Sequence, residues 1–303
     1  MADDIPFDRS FDAAPETLQQ VSPLVRRMVA PNGGPFTFTG TCTYVVGHGA
    51  VAVIDPGPDD PAHIAALQAA LAGERVAQIV VTHTHRDHSP GARLLAAATG
   101  APIVGCGPHV AFRPLAEGEH NRLEASGDRD HAPARILQDG DSIAGDGWTL
   151  QAVATPGHTA NHLAFALPEE NALFSGDHVM AWSTTIVAPP DGAMGPYMAS
   201  LNRLQGRDDR VYWPGHGGPV ANPSRFVRAL AHHRRQREAS ILDRVAAGDG
   251  LIADIVPRLY DGLAPALHGA AALSVFAHLE DLAERGLVAT DGPPGLQSRY
   301  RVA

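Results

Sequence analysis

Short apolar runs bounded by turn residues fill the first two thirds of the chain. Residues 24–30 suit a first strand, closed by the turn signal Pro31, Asn32, Gly33, Gly34, Pro35. Residues 36–39 and 43–46 read as further strand pieces. Residues 51–54 read as a buried strand running into the turn Asp55, Pro56, Gly57. Residues 61–71 have helical spacing, with Ile64, Leu67 and Leu71 on one side. The run 78–81 predicts a buried strand, 91–99 a helix, and Ile103 with Val104 a short strand. That β-α-β-α-β order predicts a layered α/β fold.

Residues 107–135 are rich in Gly, Pro, Asp and His with weak periodicity, fitting equally a loop over an active site and a surface excursion. Ile143, Trp148, Leu150, Ala152 and Ala154 then open a second strand series, continued by 162–166, 172–175 and 211–213, with a helix over 197–205. A long amphipathic helix is predicted over 224–247, with Phe226, Leu230, Ile241 and Val245 among its apolar positions. Beyond the breaker Gly248-Asp249-Gly250, helices are expected over 251–259 and 271–283. Residues 287–289 and 298–302, around Gly292-Pro293-Pro294-Gly295, then read as a two-stranded wing. The expected organisation is a catalytic domain over 1–222, a connecting helix over 223–247 and a winged-helix-like domain over 248–303, with 1–21 a partly ordered lead-in.

Composition narrows the function. A 44% hydrophobic fraction supports a sizeable core, and no apolar run reaches the roughly 18 residues of a membrane span. The polar, acidic start MADDIPFDRS is unlike a secretory signal, so a cytoplasmic location is the default expectation. Cys42 and Cys106 are too few and too far apart for a disulfide scaffold and read as buried thiols. There is no lysine, and the formal charge of −10 gives no long-range attraction to a polyanion.

The candidate chemistry lies at strand ends. The run 78–81 leads into Thr82-His83-Thr84-His85-Arg86-Asp87-His88, three imidazoles and a carboxylate within six residues. Packing gains little from such crowding, whereas a divalent cation satisfies every member. Glycine-rich turns after other strands carry His158, Asp177 and His216. Adjacent strands would bring these turns together at the sheet's carboxyl edge, where α/β proteins place chemistry. A lone histidine in any one turn is more often structural; the recurrence carries the metal reading. Asp55 ends its strand in the same way. Its spacing fits equally a turn closed through its own backbone and a carboxylate holding a metal-bound imidazole.

In that order and spacing, THTHRDH, TPGHT, FSGDH and PGHG resemble the metallo-β-lactamase fold superfamily over residues about 24–222. The resemblance implies an αββα sandwich with metals at one edge. His83, His85 and His158 would hold one metal, Asp87, His88 and His216 a second, and Asp177 would bridge them. Asp55 matches the family's aspartate behind the ligands, and Asp87 would orient the nucleophile and receive its proton. The implied reaction is attack of a metal-bound hydroxide on an ester, thioester or lactam carbonyl. Zinc suits five imidazoles and two carboxylates best, with iron or manganese as alternatives. Diiron redox members resemble HxExDH, with glutamate where this chain has His85, so hydrolysis is favoured over electron transfer.

A hydrolase domain followed by a winged helix also resembles the β-lactamase-like protein 2 group. GTCTYVVG is similar to that group's GTNTYLVG with Cys42 replacing the asparagine, and the helix after PGHG carries HRRQRE. RNA cleavage is assigned to some members and only hydrolysis to others, so the resemblance bears on chemistry more than on substrate.

The leading expectation is therefore a dinuclear hydrolase of a small molecule. Trp182 and Tyr197, flanking the loop after Asp177, are candidate pocket walls, although aromatic side chains more often pack in a core. The alternative is a metal-dependent single-strand endoribonuclease, for which Arg234, Arg235 and Arg237 would have to border the cleft. A basic run such as His232-His233-Arg234-Arg235 is more often a solvated helix face. A DNA-binding regulator is disfavoured because residues 251–303 carry six carboxylates against four arginines. A mononuclear iron oxygenase is an outside reading. The expected partner is a small substrate, with RNA as the alternative, no membrane, and a homodimer left open.

Overall fold

The computed structural model describes residues 5–121 and 126–303. Residues 1–4 of the expected lead-in and 122–125 of the expected loop lie outside the described residues. Two sheets face each other, with helices on both outer surfaces and a small lobe at the carboxyl end. The first sheet has the order β1 (Gln19–Gln20), β2 (Val25–Val29), β3 (Cys42–Val46), β4 (Ala50–Ile54), β5 (Arg75–Val81), β6 (Ile103–Gly105), β7 (Arg135–Ile136). It is antiparallel from β1 to β4 and parallel from β4 to β7. The crossovers that parallel strands need are α1 (Pro61–Ala70) and α2 (Pro90–Thr99).

The second sheet runs β12 (Val211–Pro214), β11 (Ala172–Gly176), β10 (Leu163–Leu167), β9 (Trp148–Ala154), β8 (Ser142–Gly145). The period of two explains how β10 serves both faces. Leu163, Phe165 and Leu167 enter the core between the sheets, while Ala164 and Ala166 turn outward. Those alanines let α3 (Met194–Gln205) and α4 (Pro223–Ala246) approach closely, through Met194, Leu201, Leu204, Phe226, Val227 and Leu230. The layers are thus αββα, as expected.

Local chemistry sets the ends of the elements. Asp60 caps α1, its carboxylate accepting from the Ala62 and His63 amides, and Pro61 occupies the first turn. At the start of α2, a Cβ on Gly91 would lie 2.8 Å from the Pro56 carbonyl oxygen, so glycine lets this helix reach the Asp55 turn.

The carboxyl-terminal lobe comprises α5 (Ile252–Leu259), α6 (His268–Glu284) and the antiparallel pair β13 (Val288–Ala289) and β14 (Arg301–Val302), the expected winged helix. Its core includes Ile241 and Val245 from α4, whereas Phe226 and Leu230 of the same helix cover the second sheet. The helix expected as a connector therefore takes part in two cores.

Residues 36–39 differ from expectation. They form a tight turn, with amide-to-carbonyl bonds of 2.9 and 2.8 Å between Gly34 and Phe38 and a left-handed Phe38 at φ 56°. Asn32 holds this turn by accepting from the Thr41 amide, so side-chain bonding overrides the β-forming composition. Among the described residues, no helix is long and apolar enough to cross a membrane.

Candidate metal centre

Asp55 follows β4, the run from Thr82 to His88 follows β5, and His158 lies in the turn after β9. Asp177 follows β11, and His216 follows β12. All these turns lie at one edge of the sandwich. One ligand atom each from His83, His85, His158 and Asp177 lies within 4.8 Å of every other, and so do atoms of Asp87, His88 and His216. Imidazole nitrogens of His83 and His85 stand 3.1 Å apart, those of His85 and His158 2.9 Å, and those of His88 and His216 3.2 Å. The Asp177 carboxylate faces both groups, 3.7 Å from His158 Nε2 and 3.3 Å from His216 Nε2. Asp87 Oδ2 lies 3.1 Å from His216 Nε2 and 3.3 Å from His88 Nε2.

These residues fit a pair of cations. Nitrogen atoms aimed at one another at such distances offer more lone pairs than protons, and Asp177 Oδ1 is buried without a hydrogen-bond partner. Glycine makes the convergence sterically possible. A Cβ at Gly215 would lie 2.4 Å from Asp177 Oδ1 and 2.6 Å from His88 Cε1.

The ligand candidates are held from behind. His88 Nδ1 is 3.0 Å from Asp55 Oδ2, and Asp55 also accepts from the Thr82 amide at 2.8 Å and the Thr82 hydroxyl at 2.7 Å. The Asp55 carboxylate therefore reaches the imidazole, the second of its two sequence readings. Thr82 Oγ1 meets His83 Nδ1 at 2.9 Å. The Ile186 carbonyl meets His158 Nδ1 at 2.7 Å, and the Gly40 carbonyl meets His216 Nδ1 at 3.3 Å. Each such contact fixes which ring nitrogen points inward. Thr82 stood within the histidine-rich stretch and could have been singled out from it. The two carbonyls carry no residue-type signal.

Electrostatics divide the cluster. Burial, helped by neighbouring imidazoles, holds His83 well below the ordinary histidine range, pushes His85 to about 3 and lowers His158. For His216, burial opposes the charge, but Asp177 and Asp87 outweigh it and push the imidazole up to about 9. His88 is raised in the same way, burial being overcome first by Asp87 and then by Asp177. Neutral imidazoles on one side and a locus favouring positive charge on the other suit cation binding.

The loop from 107 lies against this edge. Thr84, between two ligand candidates, bonds His109 Nδ1 at 3.0 Å and the Asn161 amide at 3.0 Å. The Phe112 amide donates to the Pro190 carbonyl at 2.9 Å, and Asn121 to Asp191 at 2.9 Å. Beyond it, a cleft of about 1010 Å³ runs between Phe112, Pro114, Met194, Glu280 and Val288. None of the seven ligand candidates lines that cleft, so its size alone does not mark the chemistry.

The two aromatic candidates part company. Trp182 stacks on Phe38 at 4.9 Å and borders Gly217, next to His216, a place suited to a pocket wall. Tyr197 corrects the expectation. It is fully buried, because α3 packs on the outer face of the second sheet, and its hydroxyl donates to the His178 carbonyl at 3.1 Å. Within the arginine run, Arg235 is exposed as a solvated face would have it, but Arg234 and Arg237 depart from both a solvated face and an anionic lip. Arg234 is 3% exposed, and Arg237 donates to the Leu259 carbonyl and covers the Tyr260 ring at 4.2 Å. Cys42 and Cys106 are buried free thiols; the Cys42 amide donates to the Gly215 carbonyl at 2.7 Å, beside His216.

The sequence profile described as "Metallo-beta-lactamase superfamily" matches residues 36–216, and that of the "Beta-lactamase associated winged helix domain" matches residues 252–294. An atrochrysone carboxyl ACP thioesterase of Paecilomyces divaricatus is 33% identical over 244 residues, 78% of this chain and 70% of the relative. A beta-lactamase-like protein 2 homolog of Caenorhabditis elegans is 31% identical over 280 residues, 90% of this chain and 88% of the relative. A metallo-beta-lactamase family protein from Thermus thermophilus superposes with a TM-score of 0.73 at 25% identity, covering 94% of this chain and 100% of that one.

Proposed function

Because the chain belongs to the metallo-β-lactamase superfamily and is a metal-dependent hydrolase carrying that family's associated winged helix, we propose that it hydrolyses an acyl thioester at a two-metal centre. The observation that carries the reading is the position of Asp177, whose carboxylate faces His158 on one side and His216 on the other. His83, His85 and His158 would hold one cation, Asp87, His88 and His216 the other, with Asp177 shared. A pair of divalent cations bound there would lower the pKa of water toward about 7 and polarise the scissile carbonyl. Zinc suits this donor set best.

The chain's own residues do the rest. Asp55, Ile186 and Gly40 keep the inward nitrogens of His88, His158 and His216 free for ligation by engaging the outward ones. The Asp87 side chain, 28% exposed, faces the mouth, where its carboxylate orients the attacking water and takes its proton. Oxygen adds to the carbonyl carbon, the carbon–sulfur bond breaks, and the proton passes from Asp87 to the departing thiolate. Trp182 and Phe38 form one wall of the mouth.

Relatives named as ACP thioesterases support a thioester over an oxygen ester or lactam. The engagement of Arg234 and Arg237 within the protein removes two of the three arginines that an RNA-binding lip would require. The test incubates metal-stripped and zinc-reloaded protein with acyl thioesters, oxygen esters, a β-lactam and unstructured RNA. Zinc-dependent thiol release is expected to exceed the other activities. RNA cleavage without thiol release would overturn the proposal.

A further inference from the structure

The helix α4 buries a stripe of Val227, Leu230, Ala231 and Ile241, and the position between them, Arg234, is also buried. Its partners are the Thr185 carbonyl, the Ser274 hydroxyl at 3.3 Å and the face of Tyr197 at 5.2 Å, while Nε has none. Among the described residues, no carboxylate pairs with it. A buried guanidinium without a counter-ion is costly, and an apolar side chain of like volume would suit the stripe better for stability. What Arg234 grips is more informative. The Thr185 hydroxyl donates to the carbonyl of Asp177 at 2.6 Å and lies 3.1 Å from that of His178. The next residue, Ile186, places its carbonyl on His158 Nδ1 at 2.7 Å.

We propose that Arg234 is a positioning residue of the metal centre: by anchoring the Thr185 carbonyl, it fixes the two-residue strap that holds the backbone of Asp177 and the imidazole of His158. Ser274 lies on α6, so the winged helix reaches the metal centre through Ser274, Arg234 and this strap. The appended lobe then has a role at the active site without supplying a ligand. The inference rests on the reading of His158 and Asp177 as metal ligands.

The test uses full-length Arg234→Met, Arg234→Lys and Ser274→Ala proteins, with His158→Ala as the ligand control. Zinc affinity is measured by competition with a chromophoric chelator, the visible band of the cobalt-loaded protein is recorded, and the metal-free proteins are melted. Arg234→Met is expected to stay folded, bind zinc about 10- to 100-fold more weakly and alter the cobalt band, as removal of groups behind a ligand does. Arg234→Lys, which keeps the charge but offers a single donor nitrogen in place of the guanidinium fork, should fall between it and the parent. A folded Arg234→Met protein with the parent's zinc affinity and cobalt band would overturn the proposal. Should that variant not fold, Ser274→Ala decides, with a few-fold weaker affinity in support and parental affinity against. If the parent binds no zinc, or His158→Ala binds it equally well, the ligand assignment itself fails; unaltered Arg234 variants beside a zinc-binding parent sink this inference alone.

Discussion

Two contacts of similar length, one in the metal centre and one in the wing, have different consequences. His88 Nδ1 lies 3.0 Å from Asp55 Oδ2 with both side chains almost wholly buried. Arg301 Nη1 lies closer to its partner Asp291, at 2.6 Å, but those side chains are 57% and 89% exposed. Coulomb attraction at a given distance grows severalfold as the effective dielectric falls from that of water to that of a protein interior. Asp55 also accepts two further hydrogen bonds from Thr82, so its geometry is fixed by three contacts from two residues. The shorter contact is therefore the weaker one. Burial and the number of partners, more than distance, decide which charged contacts shape function.

The comparison can be broken at several depths. His85→Ala removes a ligand candidate and is expected to cost about 10³-fold or more in kcat/KM, equivalent to several kcal/mol of metal-derived stabilisation, with an unchanged circular dichroism spectrum. Near-parental turnover by that variant would remove the metal centre from the account. Asp55→Asn keeps the shape but weakens the hold on His88, and zinc affinity should fall about 10- to 100-fold. Equal affinity would mean that the buried contact is no more consequential than the exposed one.

Glu74 offers an intermediate case, with its side chain 18% exposed and paired to Arg26 at 2.9 Å between Nη2 and Oε2. The Arg26 hydrogen bond holds its carboxyl below the ordinary 4.5. A depressed folded pKa stabilises the protein above the ordinary value, and that contribution is lost as pH falls from there through the folded value. Glu74→Gln should cost about 1 kcal/mol in urea unfolding at pH 7, and the gap to the parent should close below pH 4.5. A gap that persists in acid would assign the effect to packing. Arg301→Gln, the exposed extreme, should change unfolding free energy by less than about 0.5 kcal/mol. A larger change would show that distance matters more than burial at this surface.

The parts of the site that were legible in the sequence are those in which residue type is itself the signal. His83, His85, Asp87, His88, His158, Asp177 and His216 are scarce donor types repeated at strand ends, and the structure brings all seven to one edge. Strand β10 was visible for a different reason, since burial on both faces requires an unbroken apolar run. The carbonyls of Ile186 and Gly40 were invisible because main-chain atoms look alike in every residue. Arg234 and Tyr197 misled because polarity and ring size do not reveal which neighbour a helix face meets; α3 and α4 turn both inward. Residues 36–39 misled in the opposite sense, having β-forming composition but a turn held by Asn32.

Helix α4, 24 residues long, is a shared beam. Its first half roofs the second sheet and its second half supplies Ile241 and Val245 to the winged helix, so neither core is closed without it. Melting either lobe would strip cover from the other, and the chain should lose its structure in a single calorimetric transition; two separated peaks would show independent lobes. A cut anywhere along this helix would leave two sticky halves rather than two smaller proteins.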